Sequence, residues 1–162
     1  MNFPLMAAVT ANVLGWPMLQ LALARISIMV PERFLLPLRA PTRREAQEAD
    51  LYRRALRIRR WKHLLPDGAP WVGGAFPKQR LASRQPAYLR RFALEARRGE
   101  LAHWTMLACI PVFYLWNPAW ACALMTFYGL AANVPCILVQ RYNRIVILGN
   151  LCAPATGRNA TH

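Results

Sequence analysis

The sequence predicts an all-α integral membrane protein with about three transmembrane helices, plus amphipathic interfacial helices in a basic middle loop. Three observations carry that prediction. Forty consecutive residues, Leu101 to Gln140, contain no Asp, Glu, Lys or Arg. About 20 apolar residues, rising 1.5 Å each, cross a ~30 Å hydrocarbon core, so this run is long enough for two crossings. A second uncharged stretch, Phe3 to Ala24, is long enough for a third. Finally, all seven acidic residues and 18 of the 21 basic residues lie between Arg25 and Glu100. A chain that is 56% hydrophobic with a net charge of +14 therefore keeps its charge in one block between apolar ones.

The first span is expected over residues 3–24. Ala22-Leu23-Ala24 resembles a signal-peptide cleavage site. The uncharged start and the length of the apolar stretch favour a retained helix instead. In the basic block, residues 25–100, Glu45 to Leu65 places Leu51, Ala55, Ile58, Trp61 and Leu65 on one stripe with arginines opposite. That pattern predicts an amphipathic helix lying on an anionic lipid surface. Pro66-Asp67-Gly68 should stop it, and the Gly/Pro-rich stretch 68–78 reads as a loop. A second helix is expected to start at Pro86, with Leu89, Phe92, Ala93 and Ala96 facing one way, and to continue into the next span. The long run splits at Trp116-Asn117-Pro118 into spans over 101–117 and 119–140. Residues 1–152 form a single membrane domain in this reading, and 153–162 a disordered tail.

Basic flanks set the expected orientation. Arg25, Arg97, Arg98, Arg141 and Arg144 all border spans on one side. The positive-inside tendency makes that side cytoplasmic, giving a multi-pass protein of the bacterial inner membrane with its N-terminus outside and C-terminus cytoplasmic. Asn159-Ala160-Thr161 matches a glycosylation acceptor but lies on the cytoplasmic side in this topology. A pI near 11.2 is accounted for by loop topology and anionic head groups, without any recognisable nucleic-acid module. Cys109, Cys122, Cys136 and Cys152 have no CxxC pairing, so neither a disulfide framework nor a metal site is expected.

The chemistry-bearing residues cluster at the mouths of the apolar run. Glu100 and His103 are three apart and share a helix face, where a carboxylate can fix an imidazole's tautomer and raise its basicity. If the hairpin turns around Pro118, His103 lies level with Asn133. Asn133, Gln140 and Arg144 fall within about 40° of one another at 100° per residue. A second cluster is Arg59-Arg60-Trp61-Lys62-His63 followed by Asp67. His63 and Asp67 are spaced one residue short of the His-x4-Asp pair of glycerolipid acyltransferases, with Pro66 between them. Lys62 and the nearby arginines are suited to holding phosphate. Plain alternatives exist for both clusters: interfacial anchors for the first and a solvated basic face for the second.

Three segments together resemble the glycosyl-4,4'-diaponeurosporenoate acyltransferase family. They are Arg60-Trp61-Lys62-His63 with Asp67-Gly68, Glu100-Leu101 with His103-Trp104, and Ala132-Asn133-Val134-Pro135 followed by Val139-Gln140-Arg141-Tyr142-Asn143-Arg144. The resemblance covers about residues 10 to 150, and the stretch Trp71 to Phe76 departs from it. It implies a small bacterial membrane acyltransferase that moves a fatty acyl chain to the sugar of a glycosylated carotenoid or related glycolipid. The expected partners are then the bilayer, that acceptor and a fatty acyl donor such as acyl-CoA, with no cofactor. On this reading His103, Glu100 and Asn133 are the catalytic residues, and Lys62, Asp67, Gln140, Arg141, Asn143 and Arg144 bind substrate. His103 acts as general base, Glu100 orients it, and Asn133 or Gln140 donates to the developing oxyanion. Lys62, Arg141 and Arg144 hold the donor's phosphate. Three thin spans bury little surface, so self-association to a homo-oligomer fits as well. Two rival readings are a non-catalytic accessory or scaffold protein on anionic lipid, and a transferase using another activated lipid donor.

Overall fold

Proline positions and a few buried polar contacts set the helix boundaries in the computed structural model, which describes residues 4–65, 73, 76, 78 and 81–152. The described residues form helices and no strand. Helix α1 spans Leu5–Met29, α2 Arg43–Arg54, α3 Ile58–Trp61, α4 Pro86–Ala108 and α5 Ala119–Cys152. Two of these, α1 and α5, are long and apolar enough to cross a membrane.

Helices α4 and α5 form an antiparallel hairpin, with α1 beside it. The turn falls at 116–118, where the sequence places it. Pro86 occupies the first turn of α4, where a missing N–H costs nothing. Helix α4 runs from the basic block into the apolar run without interruption, as its pattern predicts. Pro111 ends the α-helical part, because its ring excludes the regular bond to the preceding turn. The chain then tightens into a 3-10 segment, Ile110–Leu115. The second predicted span is thus part α-helix and part 3-10 helix. Helix α5 continues twelve residues past Gln140, the predicted end of the third span. Its 34 residues make a rod about 51 Å long, well beyond a ~30 Å hydrocarbon core.

Packing divides into layers along the hairpin. Near the turn, Trp16 of α1 packs with Met106, Ile110, Phe113 and Met125. Gly129 permits this closeness, since a Cβ there would lie 2.6 Å from Ile110 Cδ1 and 2.9 Å from Trp16 Cη2. Asn12 of α1 pins the turn itself: it exchanges 2.8 Å amide hydrogen bonds with Asn117 and accepts one from Trp116 Nε1 at 2.9 Å. Away from the turn, Phe92 and Ala93 of α4 pack with Ile147 and Leu148 of α5. There Arg98 caps the end of α1. Its Nη1 donates to the carbonyls of Ser27, Ile28 and Val30 at 2.6, 3.1 and 2.6 Å, while Nε donates to Glu95. A guanidinium there satisfies orphan carbonyls and complements the negative end of the helix dipole. The rest of α1 exposes Leu5, Met6, Val13, Met18 and Met29. Such a surface suits hydrocarbon rather than water.

The amphipathic helix expected over Glu45 to Leu65 is broken. Helix α2 begins earlier, at Arg43, under a capping box formed by Thr42 and Glu45. Arg57 then adopts the left-handed conformation with φ 48° and separates α2 from α3. Trp61 Nε1 holds the bend by donating to Leu56 O at 2.8 Å. The bend brings Ala49 and Ile58 together against Val139, Tyr142 and Ile145 of α5. Leu51 and Ala55, members of the expected stripe, are left exposed. Tertiary contact with α5 outweighs the continuous pattern. The expected stop at Pro66-Asp67-Gly68 and the tail from Ala153 lie outside the described residues.

Candidate active site

The hairpin register sets the site. His103 Nδ1 lies 2.8 Å from Oδ1 of Asn133, joining α4 to α5 at the level the turn position predicts. Asn133 is fully buried, and its Nδ2 donates to Gly129 O at 2.9 Å. That second bond fixes which end of the amide faces the imidazole. With Nδ2 turned to a carbonyl, Oδ1 must accept, so Nδ1 of His103 carries the hydrogen. The neutral ring then has its lone pair on Nε2, the arrangement a general base requires.

Glu100 does not orient His103, contrary to the expectation from their spacing. Its two carboxylate oxygens face α5 and accept from Arg141 Nη1 at 3.2 Å and from Arg144 Nε and Nη2 at 3.1 and 3.0 Å. Charge-assisted bonds to two guanidiniums outcompete one bond to a neutral ring. Sharing a helix face with His103 is therefore not enough. The hydrogen-bond partner of His103 is Asn133.

The ion pairs continue outward. Arg141 also donates to Glu48 of α2 at 2.6 and 2.9 Å, and Tyr52 donates its hydroxyl to the same carboxylate. Sequence patterning did not single out Glu48, because nothing local marks a surface carboxylate of α2 as the partner of a residue 93 positions away. The Arg141 hydrogen bond holds the Glu48 carboxyl below its ordinary range against the opposing effect of burial, and Tyr52 adds to the lowering. Burial and the Glu48 carboxylate push the Tyr52 phenol up to about 12. Arg141 and Arg144, expected to grip phosphate, are thus already engaged with carboxylates.

The remaining expected site residues divide between these layers. Lys62 donates to Asn143 Oδ1 at 3.1 Å and sits 5.8 Å from the Tyr142 ring centroid. Its ammonium is pushed below the usual lysine range, first by burial and then by the charge of Arg59. Gln140 lies across Gly99, where a Cβ would stand 3.2 Å from Gln140 Cδ. Gln140 Oε1 is buried and accepts no hydrogen bond from the described residues. Asp67 falls outside the described residues. His63 is exposed beside Lys62. Among the described residues no cluster of His, Cys, Asp and Glu could hold a metal ion.

Comparison with known proteins places the chain in a family. The family model described as glycosyl-4,4'-diaponeurosporenoate acyltransferase matches residues 31–149, a range that includes every residue of the site just described. A protein of that name from Staphylococcus haemolyticus is 38% identical over 95 residues, 58% of this chain. That match spans about half of the relative, 54% of its length. A Staphylococcus aureus protein of the same name is 25% identical over 131 residues, 80% of this chain and 79% of the relative. No solved structure matches. The match over most of the chain makes it a member of the glycosyl-4,4'-diaponeurosporenoate acyltransferase family.

Proposed function

We propose that this protein is a membrane acyltransferase that moves a fatty acyl chain from an activated donor to a hydroxyl of a glycosylated lipid. A glycosylated carotenoid is the acceptor class that the relatives' name indicates. The observation that carries the reading is the His103–Asn133 pair, which leaves a basic imidazole nitrogen at the edge of an apolar hairpin. Nε2 takes the proton of the acceptor hydroxyl as the oxygen attacks the acyl carbonyl. The new C–O bond forms, the donor's thioester C–S bond breaks, and the imidazolium returns the proton to the departing thiolate. One donor hydrogen of Asn133 is already engaged by Gly129, so the amide of Gln140 is assigned to the developing oxyanion. Acyl-CoA serves as the donor and is a co-substrate, so no resident cofactor enters the mechanism.

Three crossings fit this chemistry. The stretch from Leu101 to Leu115, part α and part 3-10, extends about 26 Å, close to the thickness of the hydrocarbon core. The basic flanks put the N-terminus outside and the C-terminus in the cytoplasm, with the site near the cytoplasmic face of the bacterial inner membrane. His103→Ala, purified in lipid nanodiscs and assayed with palmitoyl-CoA and a glycosylated lipid acceptor, should lose activity by about 10²- to 10⁴-fold, as general bases do. Retention of near-wild-type turnover by a folded His103→Ala protein would remove the proposal. Lipid and pigment profiling of a host with and without the gene identifies the acceptor.

A further inference from the structure

A cavity of about 320 Å³ lies between the segment 37–41, α4 and α5, with Glu100 but not His103 among its lining residues. Its polar wall carries Arg39, Arg97 and Arg144, and its apolar wall carries Leu101, Ile145 and Leu148. Two carboxylates, Glu45 and Glu100, also line it, but neither balances the full set of guanidiniums. Glu45 accepts from Arg39 at 2.9 Å and from the Thr42 backbone N–H at 2.8 Å. Glu100 is shared between Arg144 and Arg141. Arg97 pairs with no carboxylate among the described residues; its bond there goes to the carbonyl of Pro37 at 3.3 Å. The cavity therefore holds an excess guanidinium beside a hydrocarbon wall. Leu101 begins the uncharged run, so the wall sits at the boundary where head groups give way to acyl chains.

We propose that this cavity binds the phosphate end of an acyl-chain amphiphile, with Arg97 as the primary phosphate contact and Leu101 and Leu148 against the chain. Arginine presents a planar fork of donors that matches phosphate oxygens, and the lack of a carboxylate partner leaves that fork available. Membrane phospholipid and acyl-CoA share this chemistry. Binding is measured without turnover, so the inference stands apart from the acyl-transfer reading and can fail independently of it.

The test is equilibrium binding to the full chain in detergent, with radiolabelled phosphatidylglycerol in one arm and palmitoyl-CoA in the other. In at least one arm Arg97→Gln should weaken binding tenfold or more, Arg97→Lys should recover most of it, and a change at the exposed Arg54, Arg54→Gln, should leave it unchanged. The arm that shows this pattern names the physiological source, and both arms showing it confirms shared phosphate recognition. If Arg97→Gln fails to fold, Leu101→Asp carries the test. It places an anion on the exposed apolar wall and should also weaken binding tenfold in the same arm. The proposal is overturned if the folded variants bind as wild type in both arms, or if Arg54→Gln falls as far as Arg97→Gln.

Discussion

The imidazole of His103 is tied to Asn133 across the hairpin by a 2.8 Å hydrogen bond, and Asn133 is tied in turn to the carbonyl of Gly129 one helical turn away. The pair sits about two turns of α5 from Gln140 and Arg141. Beyond it, toward the C-terminal part of α5, Glu100, Arg141, Arg144 and Glu48 form a lattice of ion pairs. The imidazole is thereby bonded to an amide, and the charges that fasten the helices pair with one another.

Asn133→Ala should leave His103 free to change tautomer and rotate. Turnover should drop about 10- to 100-fold with little change in KM, because the group positions the base and does not bind the acceptor. A parallel rise in KM would show that Asn133 touches substrate instead. Unchanged kinetics would remove its positioning role.

Glu100→Gln should act on stability before chemistry. The substitution removes the charge that two guanidiniums share, at a carboxylate only 7% exposed. Breaking a buried pair from one side costs about 3–5 kcal/mol, and the retained amide hydrogen bonds bring this toward the lower end. Thermal unfolding in detergent measures it. A variant of full stability but no activity would return Glu100 to a direct part in the chemistry.

Gly129→Leu should disturb both packing and site. The added side chain meets Ile110 and Trp16, whose atoms already lie within 3 Å of an added Cβ. Overpacking typically costs about 1–3 kcal/mol. Because Asn133 bonds to the carbonyl of the same residue, any shift of α5 there also moves His103's partner. Gly129→Ala should show a smaller loss of the same kind, and a Gly129→Leu variant with wild-type melting and turnover would contradict this packing.

Acid sensitivity should trace in part to Glu48. Its folded carboxyl is held below the ordinary value of 4.5 by Arg141. The unfolded state therefore binds the proton more readily, so the stabilisation is fully present above about pH 4.5 and is lost as pH falls through the folded value. Arg141 is a third exposed, which limits the effect to about 1 kcal/mol. Melting temperatures between pH 7 and pH 3 should fall less steeply for Glu48→Gln than for wild type. Parallel curves would place the acid response elsewhere.

The helical class, the turn at residues 116–118, the unbroken start of α4 at Pro86 and the level of His103 with Asn133 were legible because each depends on local chemistry. Charge-free length, a proline at a helix start, a turn tripeptide and a fixed rise per residue are properties of the chain alone. The family's residues likewise lay in contiguous segments. Other features depend on what arrives from elsewhere in the chain. The bend at Arg57 exists because Ile58 and Ala49 both gain a surface on α5, which the stripe of α2 does not encode. Glu100's choice of Arg141 and Arg144 over His103 is a competition between partners three residues and more than forty residues away. Periodicity places side chains on a face, but only the assembled helices decide which charge on the neighbouring helix each one meets. The sequence by itself determined a helical hairpin with polar mouths and its His–Asn register. Tertiary structure decided that an amide orients the histidine while the carboxylate fastens the helices, because ion pairing across α4 and α5 is stronger than the local contact it displaces.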